Sequence, residues 1–183
     1  MDVASDSVSQ MLAEWNRERP DLDVSAIGIL ARIARLEALL VRHAGAWLSP
    51  LGLTWENFSL LVTLRRAGRP YTLTPTRLYQ ISLLTSGAMT TRIDRVAALG
   101  FVERLPDPDD RRGVLVKLTP IGKRLADKAI AVHARALNQL LSIDPDERRE
   151  LTARLAALLV KIEALPGPRK GSRGSERDRS ASL

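Results

Sequence analysis

Apolar side chains recur at helical spacing over most of the first 165 residues, with one interruption. Val8, Met11, Leu12 and Trp15 predict a short amphipathic helix, with Ser5 or Ser7 as its N-cap. Pro20 cannot continue a hydrogen-bonded helix and restricts Arg19, so Arg19-Pro20-Asp21 ends it. A long helix is predicted over residues 25–47, with Ile29, Ile33, Leu36, Leu40 and Val41 as its buried stripe and Ser49-Pro50-Leu51-Gly52 as its stop. Thr54 caps a third helix through Phe58, Leu61, Val62 and Leu64, which stops near Ala67-Gly68. Thr74-Pro75 places a proline at the first helical position, where its missing N–H is harmless, and that helix runs to about Ser82. A hydroxyl of Thr85 or Ser86 caps the next helix. Its Met89, Ile93, Val96 and Leu99 share one face, and Gly100 ends it.

The period then changes. Residues 101–105 and 114–118 are short strand-like runs around the polar, turn-rich segment 106–113, which predicts a hairpin. Thr119-Pro120 repeats the cap-then-proline device and opens a long helix carrying Leu125, Ile130, Leu137 and Leu141. Asp144-Pro145-Asp146-Glu147 opens the last helix, whose Leu151, Leu155, Leu158, Ile162 and Leu165 form a stripe that wants a partner helix. From Pro166 onward there is no periodicity, and disorder is predicted. The fold class is mainly α with a small β-hairpin wing: a winged helix-turn-helix between long N- and C-terminal helices. The expected organisation is an added helix and a long helix in 1–48, the helix–helix–hairpin unit in 49–119, long helices in 120–165, and a basic tail in 166–183.

Composition narrows the chemistry. A hydrophobic fraction of 45% in 183 residues is enough for a core. The absence of cysteine excludes disulfides, thiolate nucleophiles and Cys-ligated zinc. With only His43 and His133, a multi-histidine metal site is also excluded, and no cofactor is expected. Each histidine falls within a helix and reads as structural or exposed. No apolar run approaches membrane-spanning length, and the first ten residues lack the basic region of a secretory signal, so a cytoplasmic protein is expected.

The net charge of +7 is unevenly placed. Residues 1–64 carry a net −3, residues 65–128 carry 13 basic and 6 acidic side chains, residues 129–165 balance, and the tail carries +3. A local basic block on a neutral frame is either a solvated face or the footprint of a nucleic-acid interface.

The block coincides with the helix–helix–hairpin unit. In such a unit the second helix enters the major groove and the hairpin loop reaches the backbone or minor groove. With Met89, Ile93 and Val96 inward, Gly87, Thr91, Asp94, Arg95 and Ala98 face outward at about 100° per residue. Small and hydroxyl side chains there allow close approach to DNA. The candidate DNA contacts are Thr76, Arg77, Ser86, Gly87, Thr90, Thr91, Arg95, Arg111 and Arg112. Arg111 and Arg112 beside Asp109 and Asp110 are either a minor-groove probe or an ordinary charged hairpin tip.

Four runs are more specific: Leu84-Thr85-Ser86-Gly87-Ala88-Met89-Thr90-Thr91-Arg92-Ile93-Asp94-Arg95, then Gly100-Phe101-Val102-Glu103-Arg104, then Asp107-Pro108-Asp109-Asp110-Arg111-Arg112-Gly113, then Leu118-Thr119-Pro120-Ile121-Gly122. In order and spacing they closely resemble the MarR (multiple antibiotic resistance regulator) family over roughly Leu53 to Leu165. The resemblance implies a homodimer whose N- and C-terminal dimerisation helices, in 1–48 and 120–165, interlock, with 49–119 as the DNA-binding domain, addressing a pseudo-palindromic operator in double-stranded DNA as a repressor that small ligands release. Within a family that includes thiol-based oxidant sensors, the absence of cysteine leaves a non-covalent ligand as the signal.

Trp15-Asn16-Arg17-Glu18-Arg19-Pro20-Asp21-Leu22-Asp23, on an added N-terminal helix, is similar to the urate-responsive branch. That resemblance implies a ligand site at Trp15, Arg92 and Arg104. Ser59 stands where the branch has an aspartate. A serine carries no negative charge, so the implied ligand is a different small anionic or aromatic metabolite. Read from the residues alone, Arg92 lies about 50° from the centre of the inward face and needs a partner. A ligand anion would serve, as would an ion pair with Glu103, Asp94 or another carboxylate. Arg104 reads equally as a phosphate contact or a wing salt bridge, and Trp15 as simple core packing. The competing functional class is a constitutive or architectural DNA-binding protein without an effector. An enzyme has no support, since phosphate-loop, H-E-x-x-H and G-x-S-x-G motifs are all missing.

Overall fold

Helix ends fall where cap and breaker residues put them. The structure, a computed structural model, describes residues 6–81, 89–110 and 112–166. The chain forms two compact units, residues 1–140 and 141–183. In the first, α1 (Ser7–Glu18) precedes α2 (Ser25–Leu48), a 3-10 turn (Ser49–Leu51) and α3 (Trp55–Arg66). Strand β1 (Thr72–Leu73), α4 (Pro75–Ile81), α5 (Met89–Ala98), β2 (Val102–Pro106), β3 (Val114–Leu118) and α6 (Pro120–Leu141) follow. Helix α7 (Pro145–Glu163) belongs to the second unit.

The caps act as the sequence predicts at Thr54, Thr74, Thr119 and Asp144, whose side chains accept from the N–H groups of Asn57, Arg77, Gly122 and Asp146. At α1 the cap is Asp6, in place of the Ser5 or Ser7 expected. Its carboxylate accepts from Val8 and Ser9 N–H at 2.9 and 2.7 Å. A carboxylate makes the stronger charge-assisted bonds, and it also pairs with Arg32 of α2 at 2.9 Å. The Arg32 guanidinium and the Ser9 N–H hold the Asp6 pKa down to about 2. Ser5 and the Thr85-Ser86 cap lie outside the described residues, as does the tail from residue 167.

The hairpin forms, with Val102 opposite Leu118 and Pro106 opposite Val114. A third strand was not foreseen. Thr72 and Leu73 pair with Lys117 and Val116, so β3 is the centre of an antiparallel sheet ordered β1-β3-β2. Leu48, Leu60, Leu61, Leu64, Leu78, Ile93, Val96 and Val116 are fully buried, and Ala126 and Ala129 of α6 close the cluster.

The predicted stripe of α2 is a correction. Ile29 and Leu36 are each 55% exposed and Ile33 is also exposed, while Leu40 and Val41 are half-buried. Only the C-terminal turns of α2 reach the core, through Ala44 and Leu48, and Gly28 is covered by Leu12 of α1. Helical periodicity identifies an apolar face, whereas a single chain need not cover it. Leu151, Leu155 and Ile162 of α7, and Leu165 just beyond its end, are likewise exposed, as expected of a stripe lacking its partner.

Helix α6 starts hard against the turn after α5. A Cβ added at Gly122 would lie 1.9 Å from the Phe101 carbonyl oxygen, a backbone atom that cannot swing aside. Gly122→Ala is expected to destabilise the protein by about 1–3 kcal/mol, as overpacking does. A lowered urea midpoint with an unchanged denaturant slope checks it.

Candidate nucleic-acid interface and ligand cavities

Burial of Met89, Ile93 and Val96 sets the roll of α5. The opposite face carries Thr90, Thr91, Asp94, Arg95 and Ala98, all exposed. Thr76 and Arg77 are exposed in the first turn of α4, and Arg112 is exposed on the wing. The wing is closed by local bonds: Asp107 N–H donates to the Gly113 carbonyl at 3.1 Å, and Arg112 N–H to the Asp110 carboxylate at 2.9 Å. Ser86, Gly87 and Arg111 lie outside the described residues.

The structure places the four ligand candidates in different surroundings. Trp15 is 45% exposed, in a shallow recess on α1 with Met11, Glu14 and Glu18. Arg104 bonds Asp94 of α5 at 2.5 Å, which is the wing salt bridge, and Glu103 pairs instead with Lys117 at 3.3 Å. Arg92 is half-buried and takes neither of those carboxylates. Its Nη1 is, among the described residues, the one buried side-chain polar atom without a hydrogen-bond partner. It lines a cavity of about 240 Å³ with Glu56, Asn57, Thr91 and Arg95.

Ser59 is buried and lines a different cavity of about 580 Å³. Its walls are Trp55, Phe58 and Val62 from α3 and Ile130 and His133 from α6. His133 packs against three rings, with centroids 5.8 Å from Trp47, 5.7 Å from Trp55 and 4.9 Å from Phe58. Trp47 Nε1–H donates to His133 Nδ1 at 3.0 Å, so the neutral ring carries its proton on Nε2. At the rim Asp127 accepts from Arg65 at 2.6 Å and from Lys123 at 2.9 Å, and these bonds lower its pKa, Lys123 foremost. The aromatic walls escaped the sequence reading because they come from helices some 75 residues apart. The available signal was Trp55, Phe58 and Ser59 at helical spacing on α3.

An outward hydroxyl- and arginine-bearing helix beside a three-stranded wing defines a winged helix-turn-helix of the DNA-binding class. A family model for the MarR family matches residues 51–113. The transcriptional regulator PecS of Dickeya dadantii is 31% identical over 156 residues, covering 85% of this chain and 92% of PecS. The multiple antibiotic resistance protein MarR of Salmonella typhimurium is 39% identical over 118 residues, covering 63% of this chain and 77% of that protein. A MarR mutant from E. coli complexed with operator DNA superposes with a TM-score of 0.62 at 32% identity, over 83% of this chain and 98% of that one. The chain belongs to the MarR family, whose members act as dimers, and is a DNA-binding transcriptional regulator. Among the described residues no helix is long and apolar enough to cross a membrane.

Desolvation lowers the pKa of His133 below 6.5. The unfolded chain therefore binds the proton more readily, so the contribution to stability is complete above pH 6.5 and is lost as pH falls towards the folded pKa. Wild type is expected to lose more stability than His133→Gln between pH 8 and pH 5.5. Urea midpoints of both proteins across that range check it.

Proposed function

We propose that the protein is a non-enzymatic, cytoplasmic homodimeric repressor. It leaves a pseudo-palindromic operator when a small anionic or aromatic metabolite binds. The observation that carries ligand response is the cavity beside Ser59, an aromatic-walled space on α3 and α6 with cationic groups at its rim. Its size and lining suit a small planar ligand. Residues 49–119 bind DNA on this reading. Ser86, Gly87, Thr90, Thr91 and Arg95 address the major groove, Thr76 and Arg77 the backbone, and Arg111 and Arg112 the flanking minor groove. Exposed apolar stripes on α2, α6 and α7 supply the surfaces a second copy would cover. Dimerisation then sets the two α5 helices about 34 Å apart, one turn of DNA.

The added helix α1 supports kinship with the urate-responsive branch; of the ligand set that kinship implies, Ser59 lines the aromatic cavity, while Trp15, Arg92 and Arg104 lie apart from it in the single chain. Ser59 leaves that set without its acid, which favours carboxylates or phenols over urate.

Operator binding on the gene's own upstream DNA, with and without purines, phenolic acids and small carboxylates, tests the reading. At least one member is expected to release the DNA and to quench tryptophan fluorescence. If none does so while specific binding persists, the constitutive alternative holds. Arg95→Ala is expected to weaken specific binding by about 1–3 kcal/mol if the side chain reads a base edge. Comparing operator with scrambled DNA separates this from a phosphate contact, which would weaken both equally.

A further inference from the structure

The cavity beneath Arg92 differs from the aromatic one in every respect. Its lining is polar and charged: Glu56 and Asn57 from the first turn of α3, and Thr91, Arg92 and Arg95 from α5. Asn57 is buried, and Arg92 Nη1 is buried without a partner. A buried guanidinium nitrogen that makes no hydrogen bond loses its hydration without replacement, which is costly unless something occupies the space. The first turn of α3 adds its positive end to the same space. At about 240 Å³ the cavity has room for an oxyanion group set between the two helices.

Charge selects among oxyanions. Two arginines and one glutamate leave a net charge of one positive unit. Glu56 is ionised at neutral pH: its own backbone N–H and the Thr54 hydroxyl lower its pKa, and the charges of Arg92 and Arg95 add to this. A doubly charged anion would meet the Glu56 carboxylate with one charge unmatched.

We infer that this cavity binds one singly charged oxyanion, on the partnerless Arg92 Nη1 with Arg95 beside it, and that Glu56 makes it reject dianions. Two sources supply that chemistry: a phosphodiester of the DNA backbone, or the carboxylate of a small molecule. The inference rests on the reading of α5 as the DNA-facing helix. Glu56 and Asn57 thereby share the site with Arg92.

The test uses the full chain free of DNA, with the arginine Nε–H resonances followed by NMR. Dimethyl phosphate and acetate are expected to shift Arg92 and Arg95, and sulfate to bind more weakly. Glu56→Gln is expected to improve sulfate binding about tenfold relative to dimethyl phosphate, since it removes a neighbouring like charge. The source is read from operator binding against salt. If a phosphodiester is the occupant, Arg92→Gln lowers the slope of log affinity against log salt by about one unit. If a carboxylate is, the slope is unchanged and acetate binding is lost. Wild-type resonances that move with neither monoanion, together with an unchanged slope, overturn the inference. So does a preference for monoanions that survives Glu56→Gln unaltered. The wild-type titration needs neither a variant nor DNA. Failure of operator binding would therefore count against the regulator reading and leave this result standing.

Discussion

The junction between α5, the sheet and α6 is the constraint on which the rest of the first unit depends. Gly100, at a φ of +74°, ends α5 in a conformation that favours glycine. The chain turns at once into β2, with Phe101 N–H on the Val96 carbonyl at 3.2 Å. Thr119 then works in two directions. Its hydroxyl donates to the Gly100 carbonyl at 2.8 Å and accepts from Gly122 N–H at 3.0 Å, while its own N–H bonds the Phe101 carbonyl at 3.1 Å. One side chain thus joins the end of α5 to the start of α6, and Gly122 lets their backbones meet. The roll of α5, and with it the presentation of Thr90, Thr91 and Arg95, is fixed by this junction at its C-terminal end and by the burial of Met89, Ile93 and Val96 along it. The Arg104–Asp94 pair adds a surface tie from β2, worth little energy on its own.

The same junction explains which parts were legible in the sequence. Helices could be placed because their caps and breakers act locally: Thr54, Thr74, Thr119 and Asp144 each need only the next few residues. Strand β1 could not. It has two residues, too few to alternate, and exists through pairing with β3 some 45 residues away. The outward face of α5 followed from angular arithmetic around Met89, Ile93 and Val96. The cavities did not, since Trp47, Trp55, Phe58 and His133 meet only after three helices pack. For Arg92 the sequence left a ligand anion and an ion pair both open. The carboxylates named for the pair turned out to be taken by Arg104 and Lys117.

Periodicity also gives an apolar face without saying what covers it. On α2 that face, read from the sequence as buried, lies open in the single chain at Ile29, Ile33 and Leu36. Single exposed apolar residues are ordinary on a protein surface, but rows of them along helices are characteristic of an interface. The basic block lies elsewhere, in the helix–helix–wing part of the chain. Apolar self-association and DNA contact therefore fall on different stretches of sequence.

Helix α3 carries the two cavities on different faces. Trp55, Phe58, Ser59 and Val62, at helical spacing, line the aromatic one. Glu56 and Asn57 line the one beneath Arg92. Adjacent residues on a helix point about 100° apart, so a single rigid element presents both surfaces. The fully buried Leu60, Leu61 and Leu64 hold its remaining face in the core, where small adjustments of packing are resisted. On the proposed reading, a planar ligand against Trp55 and Phe58 bears on the same helix whose first turn faces Arg92 and Arg95. Coupling between effector and DNA then needs only a change in how α3 meets α5. A ligand that leaves that contact unaltered has no differential affinity for the two states, and so would not release DNA however tightly it bound.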